Sequence, residues 1–131
     1  MPKKTASDPQ KESPSNTAGL GKKGENRAAE ALISAGMSII ARNFRCKRGE
    51  IDIIALDGET LVFAEVKAWS AFGMENLPYS VNRKKQARII ETAKYFLSVH
   101  RQYYGRAIRF DVVFVGKEAV THLASAFMER V

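Results

Sequence analysis

The sequence predicts a mixed α/β (α+β) domain, a central β-sheet flanked by helices in the order α-β-β-β-α-β-β. Three observations lead there. Two apolar, largely β-branched runs, Ile51 to Leu56 and Leu61 to Val66, flank Asp57-Gly58, a short hairpin signal. An amphipathic helical stripe precedes them and a longer one follows. At 131 residues, 45% hydrophobic and 27% charged, the chain suits one domain with a modest core.

Residues 1–19 hold three of the four prolines, Pro2, Pro9 and Pro14, and no apolar stretch. Such a segment buries too little surface to offset the entropy of ordering, so a disordered tail is expected ahead of a folded domain over residues 20–131. It also lacks the hydrophobic region of a secretory signal. The first helix is expected from Gly21 to Ala35, with Gly36 as its stop and Ala28, Ala29, Leu32 and Ile33 as its apolar stripe. Met37 to Arg45 reads as a strand, and the two hairpin strands follow. Residues 69–79 contain Gly73 and Pro78 and read as a loop. The long helix is expected from Val81 to Arg101, with Ile90, Ala93, Phe96, Leu97 and His100 along one side. Ala107 to Val115 reads as a strand carrying Arg109 and Asp111. Val120 to Leu123 reads as a short edge strand, and Ala124 to Arg130 as a final turn or helix. There is no internal repeat.

Charges inside the hairpin strands are the feature that bears on chemistry. Asp52 interrupts one apolar run, and Glu65 and Lys67 interrupt the next. A carboxylate that loses water without a partner is costly, so such charges call for a reason. Side chains alternate along a strand, which puts Glu65 and Lys67 on one face. A two-residue loop at Asp57-Gly58 would set Asp52 opposite Phe63, and a four-residue loop from Asp57 to Thr60 would set it opposite Glu65. Both registers keep Asp52 on the Glu65/Lys67 face, whereas a three-residue loop would remove it. Two such acids would repel one another, which predicts raised proton affinity without a cation. The bland alternative is an Asp–Lys ion pair on a solvated hairpin. Glu25 projects from the apolar stripe of the first helix and has two readings: an acid complementing the helix dipole, or a carboxylate aimed at the same site.

The net charge is +7, which favours a polyanionic partner. Arg42, Arg45, Lys47 and Arg48 lead into the Asp52 strand, and Arg83, Lys84, Lys85 and Arg88 open the long helix. Other chemistries find little support. Cys46 is the only cysteine, so an intrachain disulfide and a cysteine-based zinc site are excluded. His100 and His122 are isolated, and no Ser–His or Cys–His motif or glycine-rich phosphate loop is present. No apolar segment approaches the length of a membrane span, and a cytoplasmic location is the expectation.

Asp52, then Glu65-Val66-Lys67, resemble the D-x(n)-E-x-K core of the PD-(D/E)xK nuclease superfamily, which has the restriction-endonuclease-like fold. Gly24-Glu25 with Ala28-Ala29, Asn43-Phe44-Arg45, Gly49-Glu50-Ile51-Asp52-Ile53-Ile54-Ala55, Val62 to Lys67, Lys85-Gln86 and Arg109-Phe110-Asp111-Val112-Val113 extend the likeness to the YraN-like family of predicted bacterial endonucleases, similar to archaeal Holliday-junction resolvases. The similarity covers residues 21–131. It implies that Asp52, Glu65 and the Val66 carbonyl hold Mg²⁺, with Mn²⁺ as a substitute. Lys67 would orient or deprotonate the attacking water, Glu25 would be the acid of the first helix, and Gln86 would reach in from the long helix. Two positions depart from the pattern. Ile51 stands where the superfamily has Pro, and Trp69 stands where the family often has Arg. Trp cannot clamp a phosphate but can stack on a base.

The leading expectation is therefore a metal-dependent nuclease acting on DNA, selective for branched or junction shapes. The alternative is a nucleic-acid-binding module of the same fold with little or no catalysis. A purely structural protein is a third class, and it has no reason to cluster acids. Junction-cutting relatives cut symmetrically, which leaves room for a homodimer, although no interface is legible.

Overall fold

The computed structural model describes residues 21–68 and 82–128. The expected tail and the loop carrying Trp69 lie outside the described residues. The elements run α1 (Gly21–Ser34), β1 (Ser38–Cys46), β2 (Gly49–Asp57), β3 (Thr60–Ala68), α2 (Arg83–Val99), a 3₁₀ turn (Arg101–Tyr103), β4 (Ile108–Val115) and β5 (Val120–Phe127). This is the order expected from the sequence. The sheet order is β1-β2-β3-β4-β5. All neighbours are antiparallel except β3 and β4, which are parallel and joined through α2.

One helix covers each face. Ala28, Ala29 and Leu32 of α1 pack on Ile53, Ala55, Val62, Ala64, Val66, Val113 and Val115. Ile89, Ala93 and Phe96 of α2 pack on Ile54, Leu61, Phe63, Phe110, Val112 and Phe114. The central strands β2, β3 and β4 are thus buried on both faces, which explains their nearly continuous apolar runs. The stripe of α2 differs from expectation by a small rotation. Ile89, Thr92, Ala93 and Phe96 are buried, whereas Ile90 and Leu97 are only partly so. His100 ends the helix, stacked on Phe96 at 4.1 Å between ring centroids. Asn82 caps the other end, its side chain accepting from the Lys85 amide at 2.9 Å.

The last segment corrects the sequence reading. Residues 120–127 form one strand, with no turn or helix over 124–127. Its pairing with β4 jumps from Val112–Leu123 to Phe110–Phe127, so three β5 residues face Asp111 alone. Ser125 takes a left-handed φ of 55° there, and its amide donates to Asp111 Oδ1 at 3.0 Å. Beyond the bulge Phe127 stacks on Phe110 at 5.1 Å, which returns the strand to the sheet.

The β1–β2 turn rests on α2. A Cβ at Gly49 would lie 3.0 Å from Thr92 Oγ1 and 3.6 Å from Arg88 Cβ, and φ there is 155°. Gly49→Ala is expected to cost about 1–2 kcal/mol, through overpacking and the positive φ. Equilibrium urea unfolding checks this, and an unchanged midpoint would show that the turn gives way freely.

Candidate active site

The hairpin register brings the two acids together. Asp57 pairs with Thr60, Leu56 with Leu61 and Ile53 with Ala64, so the next pair in line is Asp52 with Glu65. This is the register expected from the four-residue loop, but the turn itself closes over Gly58 and Glu59 alone. Gly58, with φ of 62°, supplies the positive angle at the first turn position, as a type II′ turn requires.

The β2–β3 ladder ends at Ile53–Ala64, and the strand changes character at Asp52. Ile51 joins the core under α2, while Ile53 joins the core under α1, although two residues apart on a regular strand should share a face. Across from Asp52, Asn43 of β1 takes a left-handed φ of 55°. The Asp52 side chain replaces the missing ladder bond: its Oδ2 accepts the Val66 amide at 2.8 Å. A residue's N–H and C=O point to the same side of an antiparallel pair. The Val66 carbonyl therefore lies on the Asp52 side of β3.

Both acids are buried, Asp52 at 5% and Glu65 at 3% exposure. Glu65 shares the α2 side of β3 with Leu61 and Phe63, and its Oε2 lies 2.7 Å from Lys85 Nζ on the first turn of α2. Among the described residues no cation pairs with Asp52 in this way. Burial, together with the charges of Glu65, Glu50 and Glu25, outweighs the Val66 hydrogen bond and pushes its carboxyl up to about 8. Raised proton affinity is what burial beside a second carboxylate entails. Glu25 is thus close enough to act on Asp52 electrostatically. It is held from the other side by Asn43 Nδ2 at 3.4 Å and Arg42 at 4.0 Å.

The other expected residues lie on the elements around this pair. Lys67 is half-buried two residues beyond Glu65, and among the described residues no carboxylate pairs with it. Gln86 is half-buried one residue past Lys85 and lines a groove with Arg83, Ile90 and Met128, while Lys85 reaches Glu65. Arg45 pairs with Glu50 at 3.5 Å, and Arg48 with Glu91 at 3.8 Å. Lys47, Arg83, Lys84 and Arg88 are exposed. Gly49 packs beside Arg88 and Arg48 pairs with Glu91, so the β1–β2 turn brings Lys47 and Arg48 alongside the basic residues of α2, whereas Arg42 lies with Glu25 and Asn26 at α1. Among the described residues no three His, Cys, Asp or Glu side chains gather closely enough to hold a metal. The donor set is therefore two carboxylates and the Val66 carbonyl. Carboxylate and carbonyl oxygens are hard donors of the kind that Mg²⁺ takes.

Sequence reasoning missed a second cluster on the α1 side. Asp111 is fully buried and accepts from Arg109 Nε and Nη2, each at 2.9 Å, and from His122 Nε2 at 2.7 Å. Arg109 also reaches Asp57 at 3.0 Å. Burial alone would raise the Asp111 carboxyl, but the bonds from His122, Arg109 and the Ser125 amide outweigh it and hold it below the usual range. The Arg109-x-Asp111 spacing on one strand face was the available signal. The His122 partner depends on β5 register and was not legible.

Comparison with known proteins places the chain. The profile of the uncharacterised protein family UPF0102 matches residues 24–115. A UPF0102 protein of Treponema denticola is 43% identical over 122 residues, covering 82% of this chain and 94% of the relative. One from Alcanivorax borkumensis is 45% identical over 93 residues, covering 71% and 74%. One from Persephonella marina is 39% identical over 107 residues, covering 82% and 91%. No described helix is long and apolar enough to cross a membrane. The matched region runs from the first turn of α1 to the end of β4 and holds every acid of the site, and on that ground the chain belongs to the uncharacterised protein family UPF0102, the YraN-like group that its motifs resemble.

Proposed function

We propose that this protein is a divalent-metal-dependent nuclease that hydrolyses DNA phosphodiester bonds, selective for branched or junction DNA, in cytoplasmic DNA repair or recombination. The observation that carries the reading is the buried Asp52–Glu65 pair, in which the charges acting on Asp52 are all negative. Keeping such a pair lowers the stability of the fold, and groups perturbed in this way cluster at functional sites. Asp52, Glu65 and the Val66 carbonyl would hold Mg²⁺, or Mn²⁺ in its place. The bound ion would supply Lewis-acid stabilisation of charge on the phosphate oxygens. Lys67 would orient or deprotonate the water from the Glu65 face. Glu25, fixed by Asn43 and Arg42, would hold a water or a proton at the outer edge. Lys85 would turn from Glu65 to the scissile phosphate, with Gln86 beside it on the same turn of α2. The exposed Lys47, Arg83, Lys84 and Arg88 would bind phosphates without reading sequence. A homodimer would present two such sites for symmetric cutting.

One observation favours a second reading, a DNA-binding module with little catalysis. Lys85 at 2.7 Å already neutralises Glu65 without a metal. A cleavage assay over single-stranded, duplex, flap and four-way-junction DNA separates the two. The nuclease reading expects cleavage of branched DNA with Mg²⁺ or Mn²⁺ and none with chelator. Binding without cleavage under either metal selects the second reading, and neither binding nor cleavage removes both. Replacing Lys84 and Arg88 together with Ala should shrink the slope of log affinity against log salt by up to about two units, at roughly 0.9 per phosphate contact. A slope equal to that of wild type would show that these side chains only face solvent.

A further inference from the structure

Next to the basic residues of α2 lies an exposed aromatic surface that the proposed chemistry does not use. Tyr95 is 38% exposed, two turns of α2 beyond Arg88. Its ring is backed by Phe44 at 6.2 Å between centroids, with the planes 30° apart. Phe44 in turn meets Phe96 edge-on at 5.1 Å, so the platform rests on the core. The Arg48 guanidinium lies over the Tyr95 ring, 6.0 Å from its centroid, so an incoming base would share or displace that contact. Lys84, Arg88 and Tyr95 share one side of α2 at helical spacing, and the Gly49 contact brings Lys47 and Arg48 alongside. Glu91 is the one acid in this strip, and Arg48 at 3.8 Å and Lys94 at 3.6 Å both pair with it.

We infer that this strip binds a single-stranded arm of the DNA substrate, with phosphates on Lys84, Arg88, Lys47 and Arg48 and an unpaired base stacked on Tyr95. The inference rests on the nuclease reading for the identity of the polyanion, and it names the part of a branched substrate that this side of the site takes. Cations alone would suit any phosphate backbone. An accessible ring within them discriminates, because a duplex hides its base faces in the stack while a single strand offers them. The dimensions set a length. Lys85, at the acids, and Tyr95 are ten residues apart on one helix, about 15 Å at 1.5 Å per residue. That is roughly four nucleotides at the 3.4 Å spacing of a stacked strand.

The test is binding in chelator, so that no cleavage intrudes, of the full chain to duplexes bearing single-stranded arms of none, two, four and eight nucleotides. Affinity should rise with arm length and level off near four. Tyr95→Ala should lose about tenfold or more on the four-nucleotide arm and little on blunt duplex, with Tyr95→Phe close to wild type. Arg48→Ala, at a solvent-facing position, should weaken armed DNA and lower its salt slope. Equal affinity for every arm length, or an equal loss on armed and blunt DNA, overturns the inference. So does a Tyr95→Phe loss as large as that of Tyr95→Ala, which would implicate the hydroxyl instead of the ring. Cleavage of the same set in Mg²⁺ keeps the two readings distinct. Cutting that ignores the arm sinks this inference and leaves the nuclease, whereas arm-dependent binding without cutting does the opposite.

Discussion

Asp52→Asn is expected to abolish cleavage, by a factor of about a thousand or more, and yet to stabilise the metal-free protein at pH 8.5. The first effect follows from removing one of two charged ligands for a cation that would contribute several kcal/mol to the transition state. The second follows from proton linkage. The Asp52 carboxyl binds its proton near 8 in the folded protein, against 3.8 ordinarily. Between those values the folded state holds more protons than the unfolded state, so stability falls as pH rises through the window and is lowest above it. Asn keeps an acceptor for the Val66 amide and removes the repulsion, for a gain on the order of a few kcal/mol at pH 8.5 and little at pH 4. Thermal melts of both proteins at the two pH values check this. Mg²⁺ should raise the wild-type melting temperature at pH 8.5 more than that of the variant. If Asp52→Asn melts below wild type at pH 8.5, the pair is not under electrostatic strain.

Asp111→Ala should produce the largest loss of stability. The side chain is fully buried between Arg109, His122 and the Ser125 amide. Removing it leaves a partly buried guanidinium without its main partner and frees the β5 bulge, for a cost of about 3–5 kcal/mol and a fall in melting temperature on the order of 10 °C or more. The pH dependence is opposite in sign to that of Asp52. A carboxyl held below its usual range contributes stability that is present above the unfolded value near 4 and is lost as pH falls through the folded one. Wild type should therefore lose this contribution only in strong acid, and the difference between wild type and Asp111→Ala should narrow there. Urea unfolding at pH 7 and pH 3 measures both differences. A cost under 1 kcal/mol at pH 7 would show that the network adds nothing beyond a hydrophobic replacement.

The residues that made the sequence legible are those whose spacing is short and whose periodicity is strict. The β2–β3 hairpin is one sequential unit, so alternation kept Asp52 on the Glu65 face in either open register, and the Asp57–Thr60 pairing then set it in line with Glu65. Both helices were located by apolar stripes at helical spacing, although Ile33, expected in the α1 stripe, is exposed and the α2 stripe is rotated toward Ile89 and Thr92. What stayed hidden depends on long-range register. The change of face between Ile51 and Ile53 answers to the left-handed Asn43 across the sheet, which alternation alone cannot foresee. Lys85 looked like one more phosphate-binding cation, and only the docking of α2 reveals it on Glu65. Residues 124–127 read as part of a final turn or helix because Ala and Ser carry a weak strand signal. They are strand because Asp111, on the neighbouring strand, holds the bulge at Ser125.

The same irregularities govern how the sheet ends. In the order β1-β2-β3-β4-β5 the outer strands are β1 and β5. β1 shifts register between Ile39 and Ala41 and then turns left-handed at Asn43, while β5 is bulged and left-handed at Ser125. An outer strand recruits a foreign strand only if it offers a long, straight row of amides and carbonyls. Neither does so here. Among the described residues both edges are therefore irregular, which disfavours edge-to-edge extension of the sheet.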